Sequence, residues 1–466
     1  MRRFSLVHRY RCRMHFFPML LPLVEIVPLL LAGVGAVAAA TGSLWHRRRL
    51  VVVVAGVLSL VSFAGAGVAV YLRTPDKIVR YDGTKEILPD AYPKLMRYAE
   101  GKEMPATPPM ENFDEIFSVQ VKNAQLATPV LSQGVLVTGT YKNTAEGYDA
   151  ATGEWLWTLP QSEPIFTVGK GDAQTVYIGE GLHHTRAAML TALRMPQAQV
   201  IWQRQFLGHI ESPPARSADG EHIFLPTGGG GLWAVAAADA RVLWHAPIGH
   251  TDATPLVTAG RVYAAAQPDE AVHQSFFYAL EAQTGKVVWQ TAVEGQPWGA
   301  PVISADGARI ITTTGRGQIG VKRDTDMGMA YALSPDDGRI LWQRALPNMA
   351  IDPGDYLPAH DLALFTLKTG ELVALDGKTG DVKWQAKVGT EFMAGAVFVE
   401  RTGGKVPLVA ATSADGVFTI RDALTGKELR RRPVLSGGSA APVIDGDRIF
   451  VVVPYRIYAF GGLGSL

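Results

Sequence analysis

Cysteine is all but missing: the 466-residue chain holds one, Cys12, ahead of its first hydrophobic run. No internal disulfide can form, no CxxCH segment can carry a c-type haem, and no Cys/His cluster has the spacing of a zinc site. An excess of one charge is missing too. With 44 Lys and Arg against 43 Asp and Glu the formal charge is +1, so no whole-molecule field draws in nucleic acid, and DNA or RNA is not an expected partner. The cysteine count leaves the compartment open, because a large core needs no disulfide. What the chain has in quantity is Gly (49) and Pro (29), with Trp and Tyr spread along its length. That composition suits an all-β protein made of many short strands and tight turns.

Two hydrophobic runs precede the main body. A basic segment, residues 1–15, leads into the first, residues 16–45, which carries Pro18, Pro22, Pro28 and Glu25. A helix over Ile26–Trp45 has the length to span and leaves Glu25 at the interface; a buried functional carboxylate is the sharper alternative. The second run, residues 50–72 (LVVVVAGVLSLVSFAGAGVAVYL), has no charge. At about 1.5 Å per residue it crosses roughly 30 Å of hydrocarbon, so a transmembrane helix is expected there. His46, Arg47, Arg48 and Arg49 between the runs belong in the cytoplasm by the positive-inside rule, which places the C-terminal region outside. Arg2, Arg3, Arg9, Arg11 and Arg13 oppose a two-span hairpin. Translation from Met14 or Met19, or a first run that does not cross, would resolve the conflict. A cleaved signal peptide is not expected, since a basic cluster separates two hydrophobic runs. Residues 73–112, rich in charge, Pro and Tyr, read as a linker, with a short helix expected between Asp90 and Gly101.

The remainder, residues 113–463, repeats itself. YDAATGEWLW, YALEAQTGKVVW, YALSPDDGRILW and VALDGKTGDVKW end at Trp157, Trp289, Trp342 and Trp384, and weaker copies end at Trp202, Trp244 and Arg430. Successive ends lie 42 to 53 residues apart, the length of one four-stranded propeller blade. Each unit opens with a short Pro-containing strand, as in DATPLVTAGRVYAAA and GAPVISADGARIITTT. Val262 and Ala264, or Ile310 and Thr312, are expected on one face of a blade with the intervening residue on the other. Gly153, Gly285, Gly338, Gly380 and Gly426 supply the positive φ of a hairpin turn before the outermost strand. The closing Trp is a large apolar wedge between neighbouring blades.

Eight first halves begin near Thr128, Glu163, Ser212, Thr254, Ala300, Asp352, Gly395 and Ala441, but the repeats contain only seven last strands. The final unit stops at Arg456–Phe460, while Phe113–Val121 (FDEIFSVQV) precedes the first unit and resembles a last strand, with Phe117 in the Trp position. The expected fold is therefore an all-β, eight-bladed β-propeller closed by a composite blade, which removes two exposed sheet edges.

The form xYALDAxTGxxxW resembles the PQQ-like repeat of the quinoprotein alcohol dehydrogenases and of the outer-membrane assembly lipoproteins of the BamB type. The resemblance covers residues of about 113 to 460 and implies two functions. As a BamB-like scaffold, or an accessory subunit of a membrane complex, the chain would need no cofactor and would bind other membrane or periplasmic proteins. As a quinone-dependent dehydrogenase oxidising an alcohol or sugar, it would hold pyrroloquinoline quinone over an axial indole with calcium and a carboxylate. Trp298 is the candidate indole, and Asp324 and Asp326 are the candidate calcium ligands. The dehydrogenases carry an adjacent cysteine pair and long covering insertions; this chain has no such pair, and its marked expansions are Ala266–Ser275 and Gly317–Gly328. The scaffold is the first reading, with no catalytic residue assigned; the family's lipidated cysteine is replaced here by a hydrophobic helix, so the expected location is the bacterial inner membrane with the propeller on the periplasmic side.

The histidines read as ordinary on sequence. His183 and His184 are adjacent, so on a strand they face opposite ways and could not share a metal. His250 with Asp252, and His360 with Asp361, resemble base-and-orienter pairs in residue type alone. Gly228 to Gly231 join two strands and open no helix, so they read as a flexible hairpin rather than a phosphate cradle.

Overall fold

A computed structural model describes residues 113–466 apart from 126, 269–273, 318–325, 351–354, 393–394, 402 and 436–439. Thirty-two strands, β1 (Asp114–Gln120) through β32 (Arg456–Gly461), form eight four-stranded antiparallel sheets among the described residues. Seven sheets are sequential meanders. Their first strands begin at Val130, Ile165, Ala215, Leu256, Val302, Asp355 and Ala396, each one to three residues after the repeat start.

The eighth sheet has the order β1, β32, β31 (Arg448–Val453), β30 (Val443–Asp445). β1 pairs antiparallel with β32 from Asp114 opposite Gly461 to Gln120 opposite Arg456, so the composite blade closes the ring. The first strand of this blade, β30, lies beside β2 (Val130–Ser132) of the first blade, and β2 lies beside β6 (Ile165–Lys170) of the next. First strands thus gather around a common axis. In an antiparallel meander the turn after a blade's second strand and the connection leaving its fourth lie at the same end, so both open on one face of the ring.

Two-residue alternation builds the core between blades rather than within them. Val262, Ala264 and Ala266 pack on Leu232, Ala234 and Trp244 of the preceding blade. Tyr263 and Ala265 face the other way, onto Trp289, Ile310 and Tyr331. A sheet buried on both faces must be apolar throughout, and β23 (Leu362–Leu367) is buried at every position. A fourth strand lies at the rim, where β25 (Val382–Lys387) buries only Trp384 fully.

The closing Trp residues reach the next blade. Nε1 of Trp202, Trp244, Trp289, Trp342 and Trp384 donates to the carbonyl oxygen of Ala237, Ala282, Pro335, Gly377 and Ala423 at 2.8–3.1 Å. Gly285, Gly338, Gly380 and Gly426 have φ of 71–73°, as the turn reading requires. A second constraint acts on them: a Cβ there would lie 2.5–2.7 Å from the indole of the preceding blade. Phe117 takes the same place over Gly153, whose Cβ would meet its ring at 2.6 Å. Phe117 has no N–H, and Arg448 Nη1 reaches the equivalent carbonyl, Ala150, at 3.1 Å. Trp157 differs: it packs on Gly147 of its own blade, and its buried Nε1 makes no hydrogen bond.

No helix among the described residues is long and apolar enough to cross a membrane. The hydrophobic runs at 16–45 and 50–72, Glu25, and the short helix expected between Asp90 and Gly101 lie outside the described residues.

Candidate functional site

Three consecutive blades bring four side chains together on one face of the ring. Blade two comprises β6, β7 (Thr175–Glu180), β8 (Ala187–Arg194) and β9 (Gln199–Leu207); blade three comprises β10 (Ala215–Arg216), β11 (His222–Thr227), β12 (Gly231–Ala236) and β13 (Val242–Ala246). Blade four begins at β14 (Leu256–Thr258). His183 sits in the turn between β7 and β8, His209 in the connection from β9 to β10, and His250 and Asp252 in the connection from β13 to β14. One ligand atom from each of the four lies within 4.8 Å of the others.

Asp252 is the centre of the cluster. His209 Nε2–H donates to its Oδ1 at 3.0 Å and His250 Nε2–H to its Oδ2 at 2.5 Å. The imidazole rings of His209 and His250 are 5.1 Å apart, and His183 is 5.0 Å from His209. Burial alone would raise the Asp252 carboxyl, but the hydrogen bonds and charge of the two histidines hold it well below the usual carboxylate range. A second carboxylate adjoins the cluster. Glu211 Oε1 lies 3.6 Å from His183 Nδ1 and 3.8 Å from His209 Nε2, and this oxygen is buried with no hydrogen bond, although the His183 backbone N–H bonds to the carboxylate. Burial, and then the negative charge of Asp252, push the Glu211 carboxyl up to about 7 against the pull of His209 and His250.

The backbone holds these groups rigidly. His250 exchanges two hydrogen bonds of 2.9 Å with Gln267, and Gly228 N–H donates to the His209 carbonyl at 3.0 Å. The His209 ring lies flat against Gly228, where a Cβ would fall 1.9 Å from its Cε1 and Nε2. The glycine run thus has a task beyond a flexible turn at this position. Gly228→Ala should displace the ring from Asp252 and cost about 1–3 kcal/mol through overpacking, read as a lowered urea midpoint. An unchanged midpoint would contradict this placement of His209.

Chemically, neutral imidazole nitrogens with carboxylate oxygens are the donor set of zinc and related divalent d-block cations. His183 faces this cluster because it lies in a turn, where the opposite-faces rule for strand neighbours does not hold; His184 shares the turn and is not among the four ligand groups. His250 and Asp252 pair in space as well as in type. His209 and Glu211 carried no signal as single residues, yet Gly208-His209-Ile210-Glu211 and Gly249-His250-Thr251-Asp252 occupy equivalent positions of successive repeats.

Trp298 stands at the edge of the cluster, its ring 6.4 Å from His183 at an interplanar angle of 79°, with Nε1 donating to Gln296 Oε1 at 3.3 Å. Asp324 lies outside the described residues. Asp326 accepts a hydrogen bond from Lys368 Nζ at 2.8 Å in a pair with side chains only 2% and 6% exposed, so calcium there would have to displace a buried ammonium. The carboxylate of Asp361 accepts from Arg309 Nη2 at 2.9 Å and from the Tyr356 hydroxyl.

Comparison with known proteins gives this fold a family. The family model described as outer membrane protein assembly factor BamB matches residues 114–212 and 271–461, leaving out the stretch that holds His250 and Asp252. A protein of that name from Yersinia pestis is 29% identical over 185 residues, 38% of this chain and 43% of its own length. The match therefore spans less than half of that relative. Tetrathionate hydrolase from Acidithiobacillus ferrooxidans is 23% identical over 360 residues, 69% of this chain and 70% of its own. Among solved structures, BamB from Moraxella catarrhalis aligns with a TM-score of 0.54 and 16% identity over 75% of this chain and 100% of that one. A quinohemoprotein alcohol dehydrogenase from Pseudomonas putida HK5 aligns with a TM-score of 0.51 and 15% identity over 78% and 79%. At such identities the structural likeness speaks for the fold alone. With eight blades closed as the repeat requires and the family matched on both sides of the unmatched stretch, this chain belongs to the BamB-type family of PQQ-like β-propellers.

Proposed function

We propose that this chain is a membrane-anchored, extracytoplasmic scaffold or accessory subunit of a membrane complex. The observation that carries the reading is the family match along most of the ring to proteins named as assembly factors. The uncharged residues 50–72 supply the anchor and the basic cluster at 46–49 its orientation, which puts the ring on the periplasmic side of the inner membrane. A rigid disk suits this task because its blades are fixed by one another, while the connections on either face remain free to vary.

Fractionation and capture test the proposal together. The full-length chain should sediment with inner-membrane vesicles and resist alkaline extraction, whereas a chain lacking residues 1–72 should be released. Cross-linking in intact cells should join the ring to an identifiable membrane protein; recovery of none, with the chain folded and abundant, would remove the scaffold reading. Saturable binding of pyrroloquinoline quinone with calcium, accompanied by dye-linked alcohol or sugar oxidation, would replace it with the dehydrogenase reading.

A further inference from the structure

We propose that His183, His209, His250 and Asp252 form a binding site for a divalent d-block cation, with zinc the cation whose donor preferences they match. The inference is independent of the scaffold reading. Four donor atoms within 4.8 Å of one another, three of them imidazole nitrogens, come from three separate connections of the ring. A tetrahedral zinc site with bonds of about 2.0–2.1 Å sets neighbouring donors roughly 3.4 Å apart. The contraction needed is on the order of 1 Å, within the range of small side-chain rotations. Calcium and magnesium take oxygen ligands, so three imidazoles select against them.

A second observation points to a cation. The side chain of Glu211 is only 8% exposed, and its Oε1 accepts no hydrogen bond while facing His183 Nδ1 at 3.6 Å and His209 Nε2 at 3.8 Å. A buried carboxylate oxygen without a partner is unfavourable. With neutral imidazoles, the Asp252 carboxylate leaves the cluster with a negative charge in a largely buried setting, which a dication offsets. Glu211 then acts as an outer carboxylate that orients the histidines, or as a fifth ligand.

Exposure sets the order of assembly. The side chains of His209, Asp252 and His250 are 2%, 13% and 20% exposed, forming a preorganised platform, whereas His183 is 60% exposed. The cation enters from solvent and His183 closes over it. The bound ion ties a turn of blade two to the connections entering blades three and four.

Zinc itself is the probe. Full-length chain, made without a histidine tag and stripped with chelator, is titrated with Zn2+ by calorimetry, with Co2+ as a spectroscopic substitute and Ca2+ and Mg2+ in parallel. The expected result is one saturable Zn2+ site, a tetrahedral-type Co2+ absorption, and a thermal midpoint that rises with Zn2+. His250→Ala and His183→Ala should weaken Zn2+ on the order of 100-fold or more, and Glu211→Gln by about 10–100-fold. The exposed His183 makes its variant safe for folding, which an unchanged metal-free thermal midpoint verifies. Absence of saturable Zn2+ binding by the folded wild type, wild-type Zn2+ affinity retained in His183→Ala and His250→Ala, or tighter binding of Ca2+ would each overturn the proposal and leave the cluster a hydrogen-bond network.

Discussion

A chain that begins at Lys122 instead of ahead of Phe113 should fail to form the native ring, with loss of its cooperative thermal transition. Removing residues up to 121 takes away β1, the fourth strand of the composite blade, and exposes the edge of β32. Phe113 is 2% exposed and stacks on Phe460 at 5.6 Å; Val121 is 4% exposed; Ile116, Phe117 and Val119 pack on the layer between the last and first blades. At about 1.5–3 kcal/mol for a fully buried side chain, Phe113 and Val121 contribute about 3–6 kcal/mol, and the partly buried Ile116, Phe117 and Val119 each add a smaller share. Together that is a large part of the whole stability of an ordinary domain, about 5–15 kcal/mol. Near-ultraviolet circular dichroism and calorimetry of chains starting at residue 73 and at residue 122 would make the comparison. A peptide of residues 113–121 added in trans should restore part of the signal. Equal transitions in the two chains would mean that the ring does not depend on its seam.

Replacing one wedge tests the same mechanics inside the ring. Trp202→Ala should cost about 3–5 kcal/mol, the range for a buried aromatic truncated to a methyl. Trp202 is 1% exposed, packs on Tyr177 at 5.9 Å between centroids, and donates to Ala237 of the next blade at 2.9 Å. Trp202→Phe keeps most of the apolar contact and removes the donor to the half-buried Ala237 carbonyl, a smaller loss of about 0.5–1.5 kcal/mol. Trp155→Ala is the control: its side chain is 40% exposed, and a loss within about 0.5 kcal/mol is expected. Urea midpoints at constant m separate the three. A Trp202→Ala loss no larger than that of Trp155→Ala would refute the inter-blade role.

Blade number, blade boundaries and the seam were legible in the chain because each follows from local periodicity. The 42–53-residue spacing, the two-residue alternation and a count of eight first halves against seven last strands need no knowledge of contacts between blades. The surplus strand at Phe113–Val121 had only one vacancy to fill. The glycines before the outermost strands were read for their positive φ, which is a property of the turn. Their second duty, making room for the indole of the neighbouring blade at 2.5–2.7 Å, belongs to a contact about one repeat away.

The histidine cluster shows where such reading stops. His183 and His250 were read pairwise with their sequence neighbours, and His209 not at all, because no spacing along the chain resembles a metal motif. The paired segments GHIE and GHTD at one repeat position were the available signal, and even they omit His183, which comes from a turn. Sequence alone determined the all-β ring, since hydrophobic period and turn chemistry act within a few residues of each other. Only the tertiary structure decided that three connections from successive blades converge on Asp252, because the closure of the ring sets the angle between blades and hence the distance between their faces.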